Sequence, residues 1–170
     1  LGQRCYLLGC DPGEFLGEEI EGYEVTQEMV DSIRIYLETI ESVREELGAT
    51  REECHCELFM ESELSSEFGG TADFVIAARD AVAIIDFKYG SGVNVQAENN
   101  LQLLCYLYLA LERFYFPHFG SWGQPVLVVV QPRTWNHEEK VKRWEPGLDE
   151  WKEFLEELRE VIKHPRGQYV

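Results

Sequence analysis

Two short apolar runs, TADFVIAA (71–78) and AVAIIDFK (81–88), stand back to back with only Arg79 and Asp80 between them. Short apolar runs bounded by turn residues read as strands, and a two-residue gap reads as a tight hairpin. The second run has the make-up of an inner strand, yet it ends in charge. Asp86 and Lys88 are two residues apart, and the Gly90-Ser91-Gly92 turn follows them. On a strand, residues i and i+2 share a face, so the carboxylate and the ammonium stand side by side while Phe87 faces the opposite way. Burying one charge is costly, and an inner strand normally avoids two. Taken alone, such a pair reads as a salt bridge at a strand end.

The hairpin has neighbours of clear type. Residues 26–47 place Met29, Val30, Ile33, Leu37, Ile40, Val43 and Leu47 at helical spacing, with Thr26 as the N-cap and Gly48 as the stop. Their acids belong to the solvated face. CHCELFME (54–61) reads as a strand and SSEFGG (65–70) as the turn after it. A buried helix is expected from Gln96 or Ala97 to Phe114. PVLVVVQPR (125–133) then forms a buried strand closed by Pro132. EKVKRWE reads as an edge strand, and LDEWKEFLEELREVIK as an amphipathic helix. Residues 1–24, rich in Gly and Glu, read as irregular with a short helical stub first. The order α-β-β-β-α-β-β-α over 170 residues predicts a single α/β domain spanning 1–170, with no internal repeat and no linker.

Composition narrows the setting. Hydrophobic residues at 45% and charged residues at 28% are ordinary for a soluble globular chain. No apolar stretch reaches the length of a membrane span, and none reads as a signal peptide, so no membrane partner is expected. Five cysteines (5, 10, 54, 56 and 105) lack a C-x-x-C and read as reduced thiols of a cytoplasmic protein. His55 faces away from Cys54 and Cys56 and reads as a partly buried or surface side chain rather than a ligand. A net charge of −17 argues against a polyanionic partner until its distribution is seen. Residues 11–67 hold 18 acids and 3 bases, whereas the remainder holds 14 acids and 12 bases. The acidity belongs to one segment.

Asp73 lies thirteen residues before Asp86, and a hairpin about Arg79-Asp80 brings the two towards one end of the sheet. Two adjacent carboxylates repel unless a cation lies between them, and Mg²⁺ favours such a pair with waters completing an octahedron. The full pattern is G-x-x-D (Gly70 to Asp73), D-x-K-x-G (Asp86 to Gly90) and Q-x-x-x-Y (Gln102 to Tyr106). It resembles the PD-(D/E)xK nuclease superfamily, its RecB-like exonuclease branch and a phage- and prophage-associated group within it. The resemblance is densest from about Glu57 to Leu111.

It implies a restriction-endonuclease-like fold with a central mixed β-sheet flanked by helices, and a Mg²⁺- or Mn²⁺-dependent deoxyribonuclease. By it, Asp73, Asp86 and the Phe87 backbone carbonyl hold the metal, and Lys88 is the catalytic lysine. Gln102 and Tyr106, one helical turn apart, lie beside the site. Glu57 matches the further acid that joins such clusters from upstream. Glu61 shares its face. Arg133, Lys140, Lys142 and Arg143 are the candidate DNA contacts, or else solubilising charges of an edge strand. The implied partners are DNA and a phage recombination or replication protein, in a bacterial host or phage-infected cell. Oligomeric state is left open, though related phage exonucleases form rings.

Two features of the resembled nucleases have no counterpart here: an upstream helix bearing a metal-binding histidine, and a C-terminal cysteine cluster that in some holds iron–sulfur. No iron–sulfur cluster is therefore expected, and a chain starting at Leu1 reads as a piece or a processed product. The alternative is a catalytically inactive nuclease-fold module that binds DNA or a partner protein.

Overall fold

The computed structural model describes residues 1–115, 124–134 and 139–164. It opens with a short helix α1 (Gly2–Leu8), a 3₁₀ turn (Pro12–Phe15) and a two-stranded ribbon, β1 (Glu19–Ile20) against β2 (Tyr23–Glu24). The segment expected to be irregular after its stub is thus partly ordered. Asp11 is the cause at the turn, where its carboxylate accepts the Gly13 N–H at 2.7 Å and pairs with Arg34 of the next helix. That helix, α2 (Gln27–Glu46), starts where Thr26 Oγ1 accepts the Met29 N–H at 3.3 Å, and Gly48 leaves it at φ 62°. Thr26 and Gly48 therefore fill the roles their residue types predict.

Five strands follow: β3 (Cys54–Ser62), β4 (Ser65–Ala78), β5 (Ala81–Phe87), β6 (Gln124–Val130) and β7 (Val141–Trp144). They form one mixed sheet in the order β3-β4-β5-β6-β7, with β5 and β6 parallel and the other pairs antiparallel. Helix α3 (Leu101–Tyr115) makes the parallel crossover, and α4 (Leu148–Lys163) closes the order. One face of the sheet packs Val82, Ile84, Leu127 and Val129 against Leu103, Leu107 and Leu111 of α3 and Trp151 and Leu155 of α4. The other packs Ile76, Ala83, Ile85, Val126 and Val128 against Tyr36, Ile40 and Val43 of α2. β5 is covered on both sides, which is why its sequence is apolar without alternation. Among the described residues, no helix is long and apolar enough to cross a membrane.

Two boundaries differ from those read in the sequence. SSEFGG is no turn, because β4 runs straight through it and Gly69 and Gly70 pair with Glu61 and Met60 of β3. A Cβ on Gly69 would lie 2.8 Å from the Met60 carbonyl oxygen, so the glycine reflects close strand approach rather than chain reversal. α3 begins at Leu101, four or five residues later than expected. Asn100 caps it there, its Oδ1 accepting the N–H groups of Gln102 and Leu103 at 3.0 and 3.2 Å.

One irregularity shapes everything near the site. Cys54 and Cys56 pack towards α2, whereas Leu58 and Met60 pack towards α3. On the paired strand Phe74 and Ile76 face α2 while Ala72 faces α3. Strict alternation would forbid both changes. They occur side by side, at Glu57 and Asp73, the rung missing between Cys56↔Phe74 and Leu58↔Ala72. Glu57 carries φ 50°, a left-handed conformation uncommon outside glycine. Such outliers concentrate where function over-determines the backbone.

Candidate active site at the end of the inner strand

The C-terminal end of β5 gathers the motif residues. Asp86 is buried at 3% exposure, a carboxylate enclosed on the α3 side of the sheet. Lys88 Nζ donates to its Oδ1 at 3.0 Å and lies 2.9 Å from Oδ2. The second approach is off the angle of a hydrogen bond, which leaves Oδ2 buried without a donor among the described residues. Burial pushes the Asp86 carboxyl above the usual carboxylate range; Lys88 pulls it back, and the charge on Asp73 adds to the rise.

Asp73 reaches the same place from β4. Its Oδ2 accepts the Phe87 N–H at 2.6 Å, across the end of the β4–β5 ladder. The next amide, Lys88 N–H, points the opposite way and donates to Val130 of β6 at 2.8 Å. Because the peptide unit is planar and trans, the Phe87 carbonyl points back towards the β4 side, where Asp73 stands. Asp73 and the Phe87 carbonyl thus lie at the strand end that carries Asp86, near enough for the Asp73 charge to act on the Asp86 carboxyl.

Gln102 and Tyr106 complete the polar chain from α3. Gln102 Oε1 accepts from Lys88 Nζ at 2.9 Å, and its Nε2 donates to the Tyr106 hydroxyl at 3.3 Å. Gly70 makes room for that ring: a Cβ there would lie 3.1 Å from Tyr106 Cε1. The i, i+4 spacing and the G-x-x-D glycine therefore serve one packing arrangement.

Glu57 faces Asp73 across a cleft on the α2 side. Partial burial and the Asp73 charge push its carboxyl upward. It does not complete a three-carboxylate cluster, for among the described residues no three His, Cys, Asp or Glu side chains gather as metal ligands. The oxygen groups that could hold a divalent cation are the two carboxylates and the carbonyl, with buried Asp86 Oδ2 ion-paired to Lys88 but making no hydrogen bond. Such a set suits Mg²⁺ or Mn²⁺, which keep several waters.

The four candidate DNA-contacting bases do not form one patch. Arg143 clamps Glu46 through two bonds of 2.6 Å, and Arg133 pairs with Glu28 at 2.9 Å. Lys142 is buried, its Nζ held by Asn94 Oδ1, so it does not share an exposed face with Lys140. Only Lys140 and Arg133 line the same groove. His55 is partly buried, stacked on Phe114 at 4.7 Å, and all five cysteines are free thiols.

Two residues near the site escaped the sequence reading. Buried Gln131, directly after the valines of β6, accepts the Val95 N–H at 3.0 Å and donates to the Val93 carbonyl at 2.8 Å. It thereby pins the loop that follows Lys88, and a lone amide between a valine run and a proline was the available signal. Tyr36 enters from α2 and lines the cleft with Glu57 and Asp73. Its helical spacing made it indistinguishable from core.

A family model described as a protein of unknown function (DUF2800) matches residues 14–166. The chain belongs to the DUF2800 family. The matched span takes in every motif residue of this DUF2800 chain, from Glu57 through Arg143. Among solved structures, one titled "Crystal structure of SSO0001" is similar at 16% identity and a TM-score of 0.35. That match covers 84% of the DUF2800 chain and 63% of the other.

Proposed function

We propose that the chain is a divalent-metal-dependent deoxyribonuclease of the PD-(D/E)xK kind, in the RecB-like exonuclease branch, with DNA as substrate. The observation that carries this reading is the convergence at the end of β5. Asp73 accepts the Phe87 N–H there, its charge acts on the buried Asp86 carboxyl, and the Lys88 ammonium stands within 3.0 Å of both Asp86 oxygens.

Asp73, Asp86 and the Phe87 carbonyl would hold Mg²⁺ or Mn²⁺. A divalent cation at such a site supplies water activation and stabilises the negative charge that builds on the scissile phosphate. The chain's own residues do the rest. Lys88, a third exposed, presents its ammonium to the opening of the site and can neutralise charge developing on a phosphate oxygen. Gln102 holds Lys88 at the height of Asp86, and Tyr106 holds Gln102, so the ammonium is positioned before substrate arrives.

The test is cleavage of 5′- and 3′-labelled single- and double-stranded DNA with Mg²⁺ or Mn²⁺. Activity that Asp86→Ala and Lys88→Ala both abolish supports the reading. No activity, or activity indifferent to both substitutions, defeats it.

The absence of a three-ligand cluster among the described residues favours a second reading, a nuclease-fold module that binds DNA or a partner protein without cutting. Mn²⁺ titration separates the two: a nuclease binds the ion in a manner that Asp73→Ala and Asp86→Ala remove, and a module does not.

A further inference from the structure

Two of the five free thiols meet at the end of α1. Cys5 sits in the last turn of that helix, and Cys10 lies just beyond it, past Gly9 at φ 64°. The Cys10 N–H donates to the Cys5 carbonyl at 3.2 Å, the six-to-one bond of a Schellman turn. Such a turn frequently brings the side chains of its two bonded residues into apolar contact, and here both side chains are thiols. Cys5 is buried at 1% exposure among Phe15, Val25 and Val30. Cys10 packs against the same cluster and stays partly exposed. Burial pushes the Cys5 thiol up to about 11, and the Cys10 sulfur adds to the rise through its charge and a hydrogen bond.

A disulfide needs α-carbons about 4.4–6.8 Å apart and β-carbons that approach each other. A turn closed between backbone atoms of Cys5 and Cys10 brings the first within reach, and contact inside one apolar cluster brings the second. Among the described residues nothing comparable joins the other three thiols. Cys54 Sγ turns to the Thr50 carbonyl at 3.4 Å, Cys56 packs towards α2, and Cys105 lies on α3 across the sheet. The unequal burial of the pair sets an order of reaction. Cys10 is the sulfur that a reagent reaches, and Cys5, enclosed and protonated, is the one that follows.

We propose that Cys5 and Cys10 are a reversible oxidation site, closed across the C-terminal turn of α1 by exchange with a low-molecular-weight disulfide. The Cys10 thiolate attacks one sulfur of the reagent, whose S–S bond breaks and releases one thiolate, leaving a mixed disulfide on Cys10. The Cys5 sulfur then attacks Cys10 Sγ, the second reagent thiolate departs, and the Cys5 proton goes to it. Two protein thiols are oxidised, and one small disulfide is reduced to two thiols. A reducing compartment holds the pair open. The start of α1, Gly2 and Gln3 beside the Leu1 ammonium, lines the cleft that Glu57 and Asp73 share, so the bond fixes from its far end a helix that borders the site. The chemistry needs no DNA and stands apart from the nuclease reading.

The test treats the folded full chain with 2-hydroxyethyl disulfide, a neutral reagent, then quenches with acid, alkylates under denaturing conditions and digests with trypsin. Cys5–Arg34 is a single tryptic peptide that holds both sulfurs and none of the other three. It should lose two hydrogens and refuse alkylation at reagent ratios at least about tenfold lower than those that trap Cys54, Cys56 or Cys105, because the second step is intramolecular. Dithiothreitol should restore both alkylations. Cys5→Ala should stop at the mixed disulfide on Cys10, and Cys10→Ala should leave Cys5 untouched until the chain unfolds. The time course on the wild type gives the same order without a substitution, the mixed disulfide on Cys10 rising first and then falling as the peptide closes. A mixed disulfide that persists on wild-type Cys10, a peptide alkylated twice throughout, or closure seen only after urea has unfolded the chain overturns the site.

Discussion

β5 and β7 both carry charged residues near one end, and the sequence offered both as candidates, those of β7 with solubilising edge charges as the alternative. Asp86 and Lys88 stand at the end of an inner strand, covered by α2 on one face and α3 on the other. Lys142 and Arg143 lie on an edge strand, and each is already answered by its surroundings, Lys142 by Asn94 and Arg143 by Glu46 and Glu145. On the edge, every long cation reached an oxygen acceptor without disturbing the fold. On the inner strand the buried carboxylate has one ammonium, which hydrogen-bonds Oδ1 and meets Oδ2 only as an ion pair. What separates a site from decoration is therefore not the charge pattern, which both strands share, but whether the neighbourhood satisfies it.

The largest expected contrast is in activity. Lys88→Ala and Asp86→Ala each lower Mn²⁺-dependent DNA cleavage by at least about a hundredfold, the loss typical of removing a group that meets transition-state charge. Arg143→Ala leaves the rate within about twofold, since the partner it gives up is Glu46, an exposed acid whose lost pairing is worth little. Equal losses from both strands would erase the distinction between them.

Next in size are the two glycines of β4. Gly69→Ala puts a Cβ 2.8 Å from the Met60 carbonyl and 3.2 Å from Glu61 Cα, both backbone. Strand β3 must move, and urea unfolding should show a loss of about 1–3 kcal/mol. Gly70→Ala meets only the Tyr106 ring, a side chain that can shift. Stability stays closer to wild type there, while cleavage falls about tenfold as Tyr106 loses its hold on Gln102 and so on Lys88.

Those glycines also show where the sequence was readable and where it was not. The hairpin about Arg79-Asp80, the order of the main elements and the capping of α2 were legible, because each follows from local period or spacing, whereas Gln102 and Tyr106 joined Asp86 and Lys88 only through the family pattern they resemble. SSEFGG was misread because Ser and Gly favour turns, and only the partner strand reveals that the glycines allow close approach. The same limit hid the Glu57–Asp73 irregularity, since a change of facing needs two strands to define it. It hid the contacts of Tyr36 with Phe87, Phe87 with Tyr89 and Tyr89 with Arg133 as well, which join three separate segments. The basic candidates failed in the opposite direction. Their spacing was read correctly, but Glu28, Glu46 and Asn94, which take up their charge, lie far away in the chain.

Stability against pH sharpens the comparison further. The Asp86 carboxyl titrates above its unfolded value, chiefly through burial. Its fold-stabilising contribution is therefore complete below the unfolded carboxylate range and is lost as pH rises through the folded value. Asp86→Asn removes that loss. Its melting temperature relative to wild type should climb from pH 4 to pH 8, in a protein whose cleavage is gone. A difference that is flat or falls with pH would mean that the Lys88 pairing outweighs burial, and that the inner strand is as well satisfied as the edge.

The smallest effect belongs to the edge itself. Arg143 is 31% exposed and Glu46 51%, and their two 2.6 Å bonds are open to solvent on the α2 side. Glu46 titrates below the usual range because Arg143 holds it, so any contribution of the pair is present above the unfolded carboxylate pKa and fades as pH falls through the folded one. Exposed pairs of this kind contribute about 0.2–1 kcal/mol. Arg143→Gln should cost no more than that in urea unfolding at low salt, and less at about 1 M NaCl, where screening shortens to about 3 Å. A larger, salt-insensitive loss would show that the guanidinium braces α2 against β7 by packing. The edge strand would then be a structural joint rather than a row of satisfied charges.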